Sequence, residues 1–343
     1  MTDLAAFRQA ISGIAIEDNP ILVKQKSRDF FWYSPILKRQ LDHITADLIV
    51  SPKTEAEVVQ VVRAAFAHGV ALTPRGAGTG NYGQAMPLAG GAILSLAELN
   101  RVISIRPGVV VAEAGIIMEK LDQETRAHSG QELRLHPSTY RTATLGGFIA
   151  GGSGGIGSIR WGGLRDLGNI IRARVVTCEA EPRVLDLTGE DLAKVAHAYG
   201  TNGIITEVEV PLCPAYDWAD VILGFDDFLE AATFADRLAN QDGILLKNLA
   251  VVAAPVPHDY FLRHQKFIPK GKSVVMAMVA PFAVETLMVF ARRHPKAEVL
   301  FRSDTASAED LKGLPPTFEL SWNHTTLRGL RIDPSITYLQ VLY

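Results

Sequence analysis

Seventeen of the 29 glycines in this 343-residue chain fall within two stretches of 23 residues each, 69–91 and 146–168. Glycine is needed where the backbone takes positive φ or must approach a partner too closely for a Cβ, and consecutive amides in such loops form concave anion sites. Ordinary tight turns would account for one or two of these glycines, but poorly for RGAGTGNYG and GGSGGIG in one chain. Two such loops suit a ligand that carries a diphosphate.

Shorter motifs inside these stretches fail on context. GxGxxG is spelled at Gly78, Gly80 and Gly83 and again at Gly152, Gly154 and Gly157, yet neither copy opens a helix as a dinucleotide fingerprint must. Gly151, Ser153 and Gly155 spell GxSxG, but TLGGFIAG before them reads as a short helix, not as the strand of a nucleophile elbow. Gly271, Lys272 and Ser273 resemble the end of a P-loop, whose earlier glycine would fall on Lys266. A hydrolase and an NTPase are both disfavoured.

Around the glycines the periodicity organises the chain. Residues 1–45 read as a polar lead-in whose aromatic patch, Phe30, Phe31, Trp32 and Tyr33, packs on the body or faces a partner. LIVSP from Leu48 reads as a buried strand, and Thr54 with Glu57 forms a capping box for a helix with Val58, Val61, Val62, Ala65 and Phe66 at helical spacing, closed by Gly69. VALTP follows, completing a β-α-β unit. GAILSL, VISI and VVVAEAG supply further strands, MEKLDQETRAHSG a helix, ARVVTCEA and RVLDL a hairpin, EDLAKVAHAYG a helix and GIITEVEVPL a strand. Composition shifts near Pro214. Beyond it the order is β-α-β-β-α-β, with helices at about 227–241 and 283–294, the ferredoxin-like signature. The expected division is therefore a first domain over 46–214 and a smaller second one over 215–343.

Composition narrows the function classes. A hydrophobic content of 48% in 343 residues exceeds what one core usually serves. With 34 basic and 37 acidic residues, a net charge of −3 and no basic cluster, a nucleic-acid partner is not expected. No signal peptide and no membrane-spanning run is read, so a cytoplasmic setting is expected. The two cysteines, Cys178 and Cys213, and nine histidines without ligand spacing argue for no metal.

Taken in order, SPKTEAEVVQVVRAAFAHG, PRGAGTG, HPSTYRTATLGG, GGSGGIGSIRWGG and GTNGIITEVEVPL resemble the vanillyl-alcohol oxidase or PCMH type of FAD-binding domain, in its glycolate oxidase and D-2-hydroxyacid dehydrogenase branch. The resemblance implies an α+β fold: an FAD-binding domain of two α/β lobes followed by a ferredoxin-like cap domain. It implies FAD as cofactor, with Arg75, Gly76, Ala77, Gly78, Thr79, Gly80 and Asn81 as first diphosphate loop and Pro137, Ser138, Thr144, Gly146 and Gly147 as second wall. Gly151, Gly152, Ser153, Gly154, Gly155, Ile156 and Gly157 would pass near the ribityl chain, and Gly203, Ile204 and Ile205 near the adenine or ribose. Helix capping serves Ser138 and Thr144 as well, and core packing accounts equally for Ile204 and Ile205. Relatives that attach FAD covalently often have histidine where this chain has Thr79, and the second loop lacks cysteine, so noncovalent binding is expected. The HGDGN-like segment common after the cap is absent, which reads as a shortened product or a different completion of the cap.

Flavin chemistry needs a base for the substrate hydroxyl and positive charge near the ring. His324 and Arg328, one helical turn apart, are the catalytic candidates for a small 2-hydroxy acid or related alcohol, and a solvated helix face accounts for them equally. Arg263, His264 and Lys266 form a weaker group that reads as a surface charge run. An electron-acceptor protein or a quinone would take the electrons onward. Two alternatives stay open: a non-catalytic flavin-binding subunit of a larger complex, and a UDP-N-acetylmuramate-type reductase, against which the GIPGTVGGA-like block is missing.

Overall fold

The computed structural model describes residues 2–321 and 329–336. The chain divides into two compact units. One holds the residues up to Gly154 together with Gly163–Ala215, and the other holds Gly155–Gly162 and the chain from Tyr216 onward.

The first unit contains two sheets. In the smaller, β1 (Ala15–Glu17), β2 (Leu48–Ser51), β3 (Leu72–Arg75) and β4 (Ala92–Ser95) lie in the order β1-β2-β4-β3; β2, β4 and β3 are parallel and β1 is antiparallel. The β-α-β unit read from the sequence is present, with β4 inserted between its two strands. Its helix, Glu55–Ala67, starts where expected: the Thr54 hydroxyl accepts from the Glu57 N–H at 3.2 Å. The Glu57 carboxylate reaches one residue further back than a capping box requires, to the Lys53 N–H at 2.5 Å. Val58, Val61, Val62 and Ala65 pack on Leu48, Val50 and Leu94, whereas Phe66 is 60% exposed. At about 100° per residue Phe66 lies roughly 80° round the helix from Val58, on the rim of the buried arc.

The larger sheet is formed by β5 (Val102–Arg106), β6 (Val109–Glu113), β7 (Gln131–Leu133), β8 (Arg172–Val176), β9 (Val184–Thr188) and β10 (Ile204–Pro214), in the order β5-β6-β10-β8-β9 with β7 on the far end of β10. All its pairings are antiparallel. Glu55, in the first turn of the crossover helix, accepts two bonds from Arg174 on β8, at 2.8 and 3.0 Å, and one from the Thr206 hydroxyl on β10 at 2.8 Å, tying the two sheets together. The helix expected over EDLAKVAHAYG is instead a 3₁₀ turn, Gly189–Lys194. Beyond it His197 and Tyr199 take positive φ, and their N–H groups donate to the Ile149 and Ala150 carbonyls at 3.1 and 3.0 Å. The segment fills the acceptors at the end of another helix in place of continuing its own.

In the second unit β11 (Ala219–Phe225), β12 (Leu246–Val252), β13 (Ser273–Val279) and β14 (Glu298–Arg302) form an antiparallel sheet in the order β12-β13-β11-β14, the ferredoxin-like arrangement. Helices Phe228–Ala239 and Val284–Arg292 cover one face, burying Phe234, Leu238, Leu287 and Met288 on Val221, Leu223 and Val275. Ile222, Val274, Met276 and Phe301 on the other face pack with Phe261, Ile268 and Leu320. The fold is α+β.

Candidate cofactor site

β3 ends at Arg75, and the chain then leaves the sheet through Gly76, Ala77, Gly78, Thr79 and Gly80 with no regular structure. Among the described residues nothing accepts from the backbone N–H groups of these five residues. Such a run of unfilled amides at the end of a parallel strand is a ready anion cradle. Two glycines in it are required sterically. A Cβ on Gly76 would lie 2.1 Å from the Thr144 hydroxyl, and one on Gly78, at φ +70°, would lie 2.0 Å from Arg75 Nη2.

Arg75 is 6% exposed. Its Nη2 donates to the Arg28 carbonyl at 2.7 Å, while Nε and Nη1 are buried without an acceptor. Burial pushes the guanidinium below its ordinary pKa, against the opposing field of Asp29, and burial likewise raises the Asp29 carboxyl. A buried cation with unfilled donors beside open amides fits a diphosphate-bearing group. Residues 28–31 support this loop from behind, which sequence reasoning missed. Phe30 N–H donates to the Gly80 carbonyl at 2.8 Å, Asp29 accepts from the Phe31 N–H at 2.8 Å, and Phe31 is fully buried. The bonds that join this segment to the loop, from Phe30 N–H to the Gly80 carbonyl and from Arg75 to the Arg28 carbonyl, link residues about fifty apart in sequence, so no periodicity or motif marks them.

The second wall is brought up to the first loop. The Thr79 and Thr139 hydroxyls lie 3.5 Å apart, and Thr144 faces Gly76. Thr144 also caps the helix Leu145–Gly151, accepting from the Gly147 N–H at 3.3 Å. Gly146 donates to the Ala114 carbonyl at 2.7 Å, and a Cβ on it would meet the Ala114 Cβ at 2.6 Å. Gly146 thus serves close packing, and the amides of Gly146 and Gly147 are already engaged. Gly147 is exposed, with only the Thr144 hydroxyl in the way of a Cβ. Pro137 and Ser138 are half-buried just before these residues.

A buried charge network anchors that segment. Arg126 pairs with Asp122 at 2.9 Å and with Glu132, which is fully buried. Asp122 also accepts from the Leu133 N–H at 2.8 Å and from the Tyr140 hydroxyl at 2.9 Å. Burial and the neighbouring Asp122 carboxylate hold the Tyr140 phenol far above its ordinary pKa, so it remains a donor. The His136 ring packs against Tyr140 at a tilt of 51°, with ring centroids 4.6 Å apart.

Other sequence-derived positions are distributed as follows. Gly151 closes the helix and Gly152, at φ +64°, caps it with a Cβ position 2.3 Å from His197; Ser153 is exposed and Gly154 follows in the loop. Gly155, Ile156 and Gly157 fall in the second unit, where Ile156 is 1% exposed. Gly203 has φ +134° against Val175, Ile204 joins the core of Val50, Leu94 and Val176, and Ile205 is buried on β10. Asn81 is buried at the end of the first loop. His324 and Arg328 lie outside the described residues. In the Arg263 group Arg263 and Lys266 are exposed, as a surface run requires, with Lys266 paired to Asp310 at 2.6 Å, whereas His264 is 1% exposed against Phe301. Among the described residues no cluster of His, Cys, Asp and Glu could hold a metal, and no helix is long and apolar enough to cross a membrane.

An amide-lined loop at the end of a β-α-β crossover, walled by an antiparallel lobe, has the layout of a two-lobed FAD-binding domain, and a ferredoxin-like unit follows it in the chain. Residues 46–186 match the FAD binding domain family, and the chain is similar in sequence to glycolate oxidase subunits and D-2-hydroxyglutarate dehydrogenases. Its cofactor is FAD. It is 32% identical over 190 residues to an uncharacterized FAD-linked oxidoreductase of Mycobacterium tuberculosis, covering 52% of this chain and 40% of that protein. Identity is 30% over 223 residues to the mitochondrial D-2-hydroxyglutarate dehydrogenase of Rattus norvegicus (62% and 39% covered) and to a glycolate oxidase subunit of Escherichia coli (60% and 44%). The chain therefore spans about two fifths of the length of these relatives. In fold it is similar to an alkyldihydroxyacetonephosphate synthase, with a TM-score of 0.75 at 16% identity over 97% of this chain and 67% of that one. A Physcomitrella patens BBE-like 1 variant gives 0.62 at 14% identity, with 87% and 61% covered.

Proposed function

We propose that the chain is the flavin-binding portion of an FAD-dependent oxidoreductase that oxidises a small 2-hydroxy acid or related alcohol. The observation that carries this reading is the row of five unfilled main-chain N–H groups from Gly76 to Gly80 beside the buried Arg75. The names of the relatives, a glycolate oxidase subunit and a D-2-hydroxyglutarate dehydrogenase, favour the substrate class. FAD, when bound, supplies the hydride acceptor. The amides of the first loop hold its diphosphate, Thr144 keeps the two walls in register, and the Tyr140–Asp122–Arg126 network fixes the second wall. His324 is proposed to take the hydroxyl proton and Arg328 to pair with the substrate carboxylate, on their chemistry and spacing alone.

Anaerobic addition of glycolate, D-lactate or D-2-hydroxyglutarate to the FAD-loaded protein is expected to bleach the flavin with at least one of them; a flavin that none of them bleaches would overturn the substrate class. Noncovalent binding is tested by acid precipitation, after which the yellow colour should stay in the supernatant. A yellow pellet would show a covalent link. The H324A variant should keep its FAD and slow flavin reduction by about 100-fold, the lower range for a general base. Unchanged reduction kinetics would remove His324 from the reaction.

A further inference from the structure

One row of side chains crosses three strands of the second unit's sheet. Asn248 on β12 is paired with Met278 on β13, and Met278 with Asp220 on β11. Residues directly opposite one another in a ladder point to the same face. That face is the one away from the two helices: Leu246, Leu249 and Val251 join the helix-side core, whereas Ala250 and Val252, in step with Asn248, pack with Ile222, Val274 and Met276. The register of β12 slips between Leu246 and Asn248, which makes Lys247 an extra residue. This bulge lets Leu246 and Leu249 both turn to the helices while Asn248 turns the other way, and bulges of this kind re-aim side chains beside functional sites.

The polar ends of the row differ in their bonding. The Asp220 carboxyl accepts from the Thr317 hydroxyl at 2.5 Å and from the Thr317 N–H at 3.2 Å. Asn248 is 8% exposed, and its Nδ2 is buried with no acceptor. A buried amide donor left unsatisfied destabilises the fold, and its presence on the strand face that Asn248 shares with the apolar Ala250 and Val252 calls for an acceptor from outside the chain. Met278, 7% exposed, gives the middle of the row an apolar floor. An oxygen acceptor at the end of a short carbon skeleton matches both surfaces.

We propose that Asn248 is a substrate-binding residue, its side-chain amide donating to a carboxylate oxygen of a small organic acid lying over Met278. The choice of ligand class rests on the 2-hydroxy acid reading above. The test uses the FAD-loaded full chain and the variant N248L, which keeps the branched shape of the side chain and removes the donor. The variant is expected to keep its FAD and to melt at the same or a higher temperature than the wild type, because no unsatisfied donor remains. Its KM for whichever 2-hydroxy acid reduces the flavin should rise about tenfold or more, with kcat changed much less. Oxalate, a small dicarboxylate with no oxidisable hydroxyl, should raise the melting temperature of the wild type and not that of the variant. An unchanged KM together with an oxalate shift equal to that of the wild type would overturn the proposal and leave Asn248 a packing residue. If no 2-hydroxy acid bleaches the wild-type flavin, the proposed reaction falls, and oxalate alone decides: a shift lost in N248L supports the site, while a shift retained in N248L, or absent from the wild type, overturns it. Should N248L fail to fold, N248A is read by the same two measurements.

Discussion

The G78V variant is expected to lose FAD, with affinity down at least about 100-fold, equivalent to roughly 2.7 kcal/mol. Gly78 has φ +70°, where a β-branched residue is a steric outlier. Its added Cβ would also fall 2.0 Å from Arg75 Nη2 and 2.2 Å from Arg75 Cζ. Arg75 is buried and held through the Arg28 carbonyl, so it has little room to retreat, and the loop must move instead. Moving the loop breaks up the row of amides from Gly76 to Gly80. G108V separates this from a general effect of backbone strain. Gly108 has φ +80° in the β5–β6 turn, with nothing within 4 Å of an added Cβ. That variant should lose stability and keep FAD. Equilibrium dialysis with FAD, alongside thermal melts of the apo proteins, makes the comparison; full flavin occupancy in G78V would overturn the cradle.

Replacing Arg126 with methionine should produce the largest loss of stability, about 3 kcal/mol or more, the range for breaking a buried ion pair. Glu132 is fully buried and Asp122 is 6% exposed on its side chain, and Arg126 is the cation that both of them face. Without it two carboxylates share a dry site. Asp122 would no longer be a settled acceptor for the Tyr140 hydroxyl and the Leu133 N–H, so the segment 137–144 should loosen and FAD affinity should fall together with stability. Urea denaturation of the apo protein measures the first effect and FAD titration the second. The triple variant R126M, D122N and E132Q removes the charges along with the guanidinium and should recover a good part of the loss. A single variant within about 0.5 kcal/mol of the wild type, the usual spread of surface substitutions, would mean the network is not what holds the wall.

Much of the framework was legible because its signals are local. The crossover helix begins at Thr54 because the cap and the apolar spacing both lie within a few residues of it. The second unit's connectivity follows from six elements of clear period, and its helices begin within a residue of the expected positions. Where a segment's fate depended on distant partners, the reading failed. EDLAKVAHAYG has good helical composition, yet the chain turns to positive φ at His197 and Tyr199 to satisfy carbonyls of another helix. His264 reads as one member of a charged run and is in fact buried against Phe301.

The two glycine-rich stretches show the same division. Their density alone pointed to a diphosphate cradle, because a glycine's freedom in φ and its missing Cβ are properties of the residue itself. Tertiary structure decided what each glycine does. Gly76 and Gly78 make room for Thr144 and for the buried Arg75, Gly146 makes room for Ala114, and Gly152 makes room for His197. Thr144, Ala114 and His197 come from another turn or another strand, and even Arg75, three residues before Gly78, is turned onto it by the burial of its guanidinium, so only the closed fold sets which atoms meet. The support of the first loop by Arg28, Asp29 and Phe30, and the unsatisfied amide of Asn248, were likewise beyond the sequence, since a hydrogen bond made or left unmade between remote segments has no periodicity to reveal it.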